Sequence, residues 1–171
     1  EYKNGKSKKA KKLYNLYQET FDDQIAFDDI EKQEVATNVV VEAPANIRHE
    51  IVKEAKSHIG TPYKWGGVDQ KGFDCSGYTS YVMAQNGITL PRKASDQGKK
   101  VTKVKSGKAE PGDLVFFGSG SKITHVGIVV SEPGEELSMI HASSSKGIMI
   151  SNVESSSYWK TRMLYAGKII D

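Results

Sequence analysis

Ile47, Ile51, Ala55 and Ile59 recur every fourth residue, the spacing that lines up one face of an α-helix. Asn46 stands where a cap belongs and Gly60 where a helix ends, so a helix is predicted between them. The stretch TPYKWGGVDQKGFDCSG follows, aromatic, rich in glycine and without a period. A second helix is predicted from about Cys75 to Asn86, capped by Asp74 and closed by Gly87, with Tyr78, Val82 and Met83 facing the core. LPRKASDQGK reads as a loop or short helix. From Val101 onward the period changes. DLVFF, ITHVGIVVS, LSMIHAS, GIMISNV and MLYAGKII are short β-rich runs broken by turns such as GSGSK and SEPGEE. Hairpin-linked strands after a helical half predict an α+β domain built on an antiparallel sheet of about five strands.

The first 44 residues lack such a pattern. KNGKSKKAKK is basic and FDDQIAFDDIEKQE acidic, which predicts a tail, a linker or the remnant of an upstream domain. A short helix around Lys11–Phe21 and a short strand at Val39–Val41 are the local structure expected there. Residues 45–171 form the domain proper. This region carries seventeen Lys and Arg against twelve acids, whereas the tail carries seven Lys against nine. A mildly basic domain suits an anionic substrate or surface. Nucleic acid is not indicated, since no basic helix interleaved with aromatics and no phosphate loop occurs. No apolar run approaches the roughly 20 residues that span a bilayer. The chain does not start with Met and reads as a processed or trimmed form.

Cys75 is the only cysteine. A lone buried thiol is often structural, but this one opens a helix, where unpaired amides and the helix dipole stabilise an anion. That position predicts a thiol pKa below its free value of about 8.5. A thiolate nucleophile needs a base, and His125 and His141 both fall on predicted strands. If those strands form a hairpin centred near Gly134, Gly127 lies opposite His141 and His125 opposite Ser143. The two histidines are then diagonal neighbours on one face. One ring can serve the thiol and the other can orient the first, a Cys-His-polar arrangement of the papain kind. His49 and His58 lack this context and read as ordinary helix residues. Zinc has no short-spaced ligand pair to hold it, and no metal or other cofactor is expected.

The runs TPYKWGG, FDCSGYTSYV, LPRKASDQG, EPGDLVFF, THVGIVV and MIHASSSKGI, in this order and spacing, resemble the NlpC family of papain-like bacterial cell-wall cysteine peptidases. The match covers residues 45 to 170 and leaves residues 1–44 outside. The resemblance implies a papain-like fold, with N-terminal helices on the sheet and a triad of Cys75, His125 and His141. It implies an oxyanion site made by the Cys75 amide and Tyr63. The implied substrate is the peptidoglycan stem peptide or a muropeptide, cut after D-glutamate at the γ-linked bond to meso-diaminopimelate or L-lysine. Asp74 and Ser76 match positions that bind the front of the stem, with Asp74 suited to an L-alanine amine, and Arg92 to a substrate carboxylate. Trp65 is a further candidate for substrate contact, with loop packing as the other role for it and Tyr63. Ala94 departs from the Ser or Thr common at its position. Asp113 is expected to fix a turn, and Phe116 and Phe117 to fill the core or wall the groove. The family implies a protein that is secreted or resides in the cell envelope, with the tail a possible route to a lipid anchor; a monomer is expected. Two other readings stand beside this one: a thiol enzyme acting on another acyl substrate (an amidase, acyltransferase or toxin), and a wall-binding module without activity.

Overall fold

The computed structural model describes residues 43–170. The helix and strand expected at Lys11–Phe21 and Val39–Val41 lie outside them. Helix α1 spans Ala43–Ser57. It starts three residues before the expected cap at Asn46, because Pro44 fits a first helical turn, where its missing N–H costs nothing. It also stops early, so Ile59, expected on the apolar face, falls in the following turn and is 53% exposed. Ile51 and Ala55 are fully buried as the spacing requires.

A two-residue ribbon follows, β1 (Val68–Asp69) with β2 (Gly72–Phe73). Helix α2 spans Cys75–Gln85 and is capped by Asp74, whose Oδ1 accepts from the Gly77 N–H at 2.7 Å. Gly87, at φ +76°, turns the chain out of it. Tyr78, Val82 and Met83 are fully buried, and the Tyr78 hydroxyl donates to the Ala55 carbonyl at 2.7 Å, tying α2 to α1. Helix α3, Ala94–Gln97, is a single turn.

The main sheet comprises β3 (Thr102–Val104), β4 (Leu114–Ser119), β5 (Lys122–Val129), β6 (Ser138–Ser143), β7 (Gly147–Asn152) and β8 (Met163–Lys168). Its order is β3-β8-β4-β5-β6-β7, and every adjacent pair is antiparallel. The sixth strand beyond the five apolar runs is β3, a short, polar edge strand with no alternation to reveal it.

Alternation along the strands divides the core in two. Leu114, Phe116, Val126, Ile128, Ile140 and Ala142 join the helices α1 and α2 on one face. Val115, Phe117, Val129 and Met139 form a second cluster, with Trp159 of helix α4 (Ser157–Arg162) packed against it. Behind the β4 turn, Asp113 is fully buried and accepts from Arg48 at 2.8 Å and from the Glu110 amide at 2.9 Å. Arg48 also donates to the Pro111 and Ile170 carbonyls, so one ion pair fixes the turn, α1 and the C-terminal segment together.

Candidate active site

Cys75 is half-buried at the first residue of α2, on a hollow of about 760 Å³ that His125 also lines. Strands β5 and β6 pair as Ile128↔Ile140 and Val129↔Met139, the register expected about Gly134. Continuing it places Gly127 opposite His141 and puts both histidines on one face. A Cβ on Gly127 would stand 2.7 Å from Met139 Sδ and 3.3 Å from His141 Cβ, so only glycine lets β6 come this close.

The rings meet. His125 Nε2 and His141 Nδ1 are 2.9 Å apart, and His141 Nε2 lies 3.0 Å from Ser151 Oγ. His125 Nδ1 has no protein hydrogen bond among the described residues. If His125 is to act as a base through Nδ1, its Nε2–H donates to His141 and the His141 Nε2–H donates to Ser151. Ser151 was not anticipated from sequence. It sits on β7 opposite Met139, on the same face as the two histidines, and alternation along GIMISN reveals it only once the register is known. Trp159 was missed too. Its ring stacks on His125 with centroids 4.9 Å apart and meets His141 edge-on at 5.0 Å and Phe117 at 4.9 Å. Six residues are too few for a helical period, and the only sequence signal is Ser156, which caps α4 through the Trp159 amide.

Burial governs the protonation states. It pulls the His125 pKa down to about 3, with His141 adding a smaller push, and that of His141 to about 4. It pushes the Cys75 thiol up, and Asp74 adds to the rise. Backbone N–H groups of Val126, Ser76 and Cys75 work the other way and do not overcome it. The helix-terminus effect predicted a depressed thiol pKa; desolvation outweighs it. Either charge alone is disfavoured here, but one proton passing from Sγ to a histidine creates two opposite charges that offset each other's burial. Protonation of the pair as a whole then falls well below pH 6.5. Alkylation of Cys75 by iodoacetamide is expected to show no inflection between pH 5 and 8. An inflection near 6.5 would mean that His125 stands in water.

The capping carboxylate is heavily engaged. Asp74 accepts from Gly77, from the Gly66 amide at 3.1 Å, and from both Arg92 Nη atoms at 3.0 and 2.5 Å. Arg92 also donates to Ser76 Oγ at 3.1 Å. Asp74, Ser76 and Arg92, all expected to contact substrate, are thus bonded to one another on the rim of the hollow. Behind them Gln97, fully buried, bonds Thr79, Ser80 and the carbonyls of Ser76 and Pro91, locking the LPRKASDQ loop onto the first turns of α2. Tyr63 and Trp65 line the same hollow, with Trp65 88% exposed. Burial and the neighbouring Cys75 and Asp74 raise the Tyr63 pKa, so its hydroxyl keeps a proton to donate. Phe117 lines the hollow while Phe116 lies in the core. His58 is held elsewhere, bonded to Glu54 at 2.9 Å and edge-on to Phe73 and Tyr81. Among the described residues no three His, Cys, Asp or Glu side chains come together as a metal site.

Comparison with known proteins identifies the family. The family model described as "NlpC/P60 family" matches residues 60–168. A "Probable endopeptidase p60" of Listeria seeligeri is 46% identical over 119 residues, 70% of this chain and 22% of that protein. A "Gamma-DL-glutamyl hydrolase" of Bacillus subtilis (strain 168) is 40% identical over 124 residues, 70% of this chain and 29% of its own length. The chain therefore spans under a third of these two curated relatives. Among solved structures, the NlpC/p60 domain of the peptidoglycan hydrolase SagA is 35% identical, with a TM-score of 0.61 over 71% of this chain and 97% of that one. A cysteine at a helix terminus, facing an antiparallel sheet that carries two bonded histidines, and a family match across most of the folded domain place this chain in the NlpC/P60 family.

Proposed function

We propose that residues 45–171 are a thiol endopeptidase that cleaves peptidoglycan stem peptides in the cell envelope at the γ-D-glutamyl–diamino acid bond. The observation that carries the reading is the hydrogen-bonded line His125–His141–Ser151 on a hollow that also holds the Cys75 thiol. In the mechanism, Cys75 Sγ attacks the scissile carbonyl carbon while His125 Nδ1 takes the thiol proton. The Cys75 amide and the Tyr63 hydroxyl donate to the oxyanion. The C–N bond breaks, His125 protonates the departing amine, and a γ-glutamyl thioester remains on Cys75. Water, deprotonated by His125, then attacks the thioester, releases the γ-carboxylate and restores the thiol. His141 acts as a positioning group that keeps the His125 proton on Nε2.

The Asp74–Arg92 pair supports the choice of substrate. It presents one anion and one cation side by side. The front of the stem offers the complement, since L-alanine carries a free amine and a γ-linked D-glutamate keeps its α-carboxylate. Trp65 and Ser76 border the same place.

Ser151→Ala is expected to lower kcat about three- to tenfold and to broaden the His141 Nε2–H signal in proton NMR, while Ser151→Thr restores both. An unchanged kcat and an unchanged signal would remove Ser151 from the line. The reaction itself is tested by digesting L-Ala-γ-D-Glu-diamino acid tripeptide in ¹⁸O water. One ¹⁸O is expected in the γ-carboxyl of the released dipeptide and none in the diamino acid. Transfer of the acyl group to an added amine with little hydrolysis would favour an acyltransferase.

A further inference from the structure

The chain has three arginines, and two are committed to carboxylates: Arg48 to Asp113 and Arg92 to Asp74. The third, Arg162, pairs with no carboxylate among the described residues. It is exposed near the end of α4, its guanidinium carbon 3.9 Å from the centre of the Tyr158 ring. Only Nη1 is engaged, donating to the Tyr158 carbonyl at 3.1 Å and to Thr161 Oγ1 at 3.5 Å. Nε and Nη2 donate to nothing among the described residues. That edge is the planar fork that meets a carboxylate with two parallel hydrogen bonds. Stacking on Tyr158 restrains the plane in advance, so little freedom remains to be lost on binding.

The position of Arg162 indicates which part of a substrate it meets. Arg162, Tyr158 and Thr124 line the hollow of Cys75 and His125, and also an adjoining depression of about 390 Å³ with Gly118, Ser119 and Thr161. The groove therefore continues past His125, between β5 and α4. Thr124 precedes His125 in the strand, and Trp159, next to Tyr158, stacks on its ring. The group that protonates the departing amine faces the departing fragment, so that fragment leads toward Arg162. The Asp74–Arg92 pair is carried by different elements, the start of α2 and the loop before α3.

We propose that Arg162, seated on Tyr158, is a carboxylate-binding subsite for the leaving fragment. The proposal rests on the endopeptidase reading. The fragment can offer that carboxylate from the distal carbon of a diamino diacid or from the C-terminus of the stem. A lysine side chain in the same place would bring an ammonium to a guanidinium, a like-charge contact that selects against it.

The test measures kcat and KM for the wild type and Arg162→Gln on four synthetic tripeptides. Each is L-Ala-γ-D-Glu-meso-diaminopimelate, with neither, one, the other or both of the diaminopimelate carboxyls amidated. Arg162→Gln is expected to raise KM about tenfold or more, with kcat little changed, wherever the recognised carboxylate is present. The doubly amidated peptide should be turned over alike by both enzymes, which also shows that α4 and Trp159 remain in place. The single amide that reproduces the loss in the wild type identifies the source of the carboxylate. An equal loss on all four peptides, or none on any, would overturn the subsite and leave the endopeptidase standing. No cleavage of any peptide by the wild type would overturn both.

Discussion

Cys75→Ala and His125→Ala are each expected to lower hydrolysis of a stem peptide by about 10⁴-fold or more, with the fold retained. Alanine at 75 keeps the helix start, because the cap hydrogen bond belongs to Asp74 and the Gly77 amide. It removes only a half-buried sulfur, so the melting temperature should move by a few degrees at most. His125→Ala opens space between Trp159, Phe117 and His141, which adds a cavity cost of about 1–3 kcal/mol. The double variant should lose no more activity than either single one, since thiol and base act as a unit. Multiplying losses would mean that the two side chains contribute independently, and retained turnover in Cys75→Ala would remove the nucleophile from the mechanism.

Gly77→Ala is expected to destabilise the domain by about 3 kcal/mol and to abolish most activity as well. A Cβ at residue 77 would overlap the Gly67 carbonyl oxygen and stand 2.9 Å from Asp74 Oδ1. That carbonyl accepts from the Asp74 amide at 3.1 Å, so the loop carrying Tyr63 and Trp65 is clamped against the first turn of α2 with no room between. Either the loop or the cap must move, and both place site residues. For a domain of this size the cost corresponds to a drop of roughly 10 °C in melting temperature. Gly107→Ala is the control, because nothing lies within 4 Å of its Cβ, and its stability should stay within about 0.5 kcal/mol of wild type. Equal melting temperatures for the two variants would show that the close approach at Gly77 carries no weight.

The parts of this site that local rules govern were readable in advance. Asp74 beside an apolar helix face marks the start of α2. Symmetry of two strands about the turn at Gly134 sets the register that brings His125 to His141. The parts set by tertiary contact were not. Trp159 and Arg162 lie on a helix too short for a period, between strands, and only the folded sheet shows that it walls the groove. Arg92 is legible as a cation for the groove, but chain separation conceals that it stands there paired with Asp74. The direction of the thiol pKa is hidden in the sequence for the same reason. A helix terminus is visible in sequence, while the burial that opposes it depends on how Cys75 packs against the core between α2 and the sheet. β3 and the early start of α1 escaped because polar edge strands and first-turn prolines leave little periodic trace.

The most direct measurement is mass spectrometry of purified peptidoglycan stem peptides after incubation with the wild type and with Cys75→Ala. A new L-Ala-D-Glu dipeptide, formed by the wild type and absent with the variant, is the predicted result, and it establishes both the bond and the nucleophile. The same dipeptide formed equally by Cys75→Ala, or a wild type that leaves every stem peptide intact while its thiol still alkylates, would contradict the account.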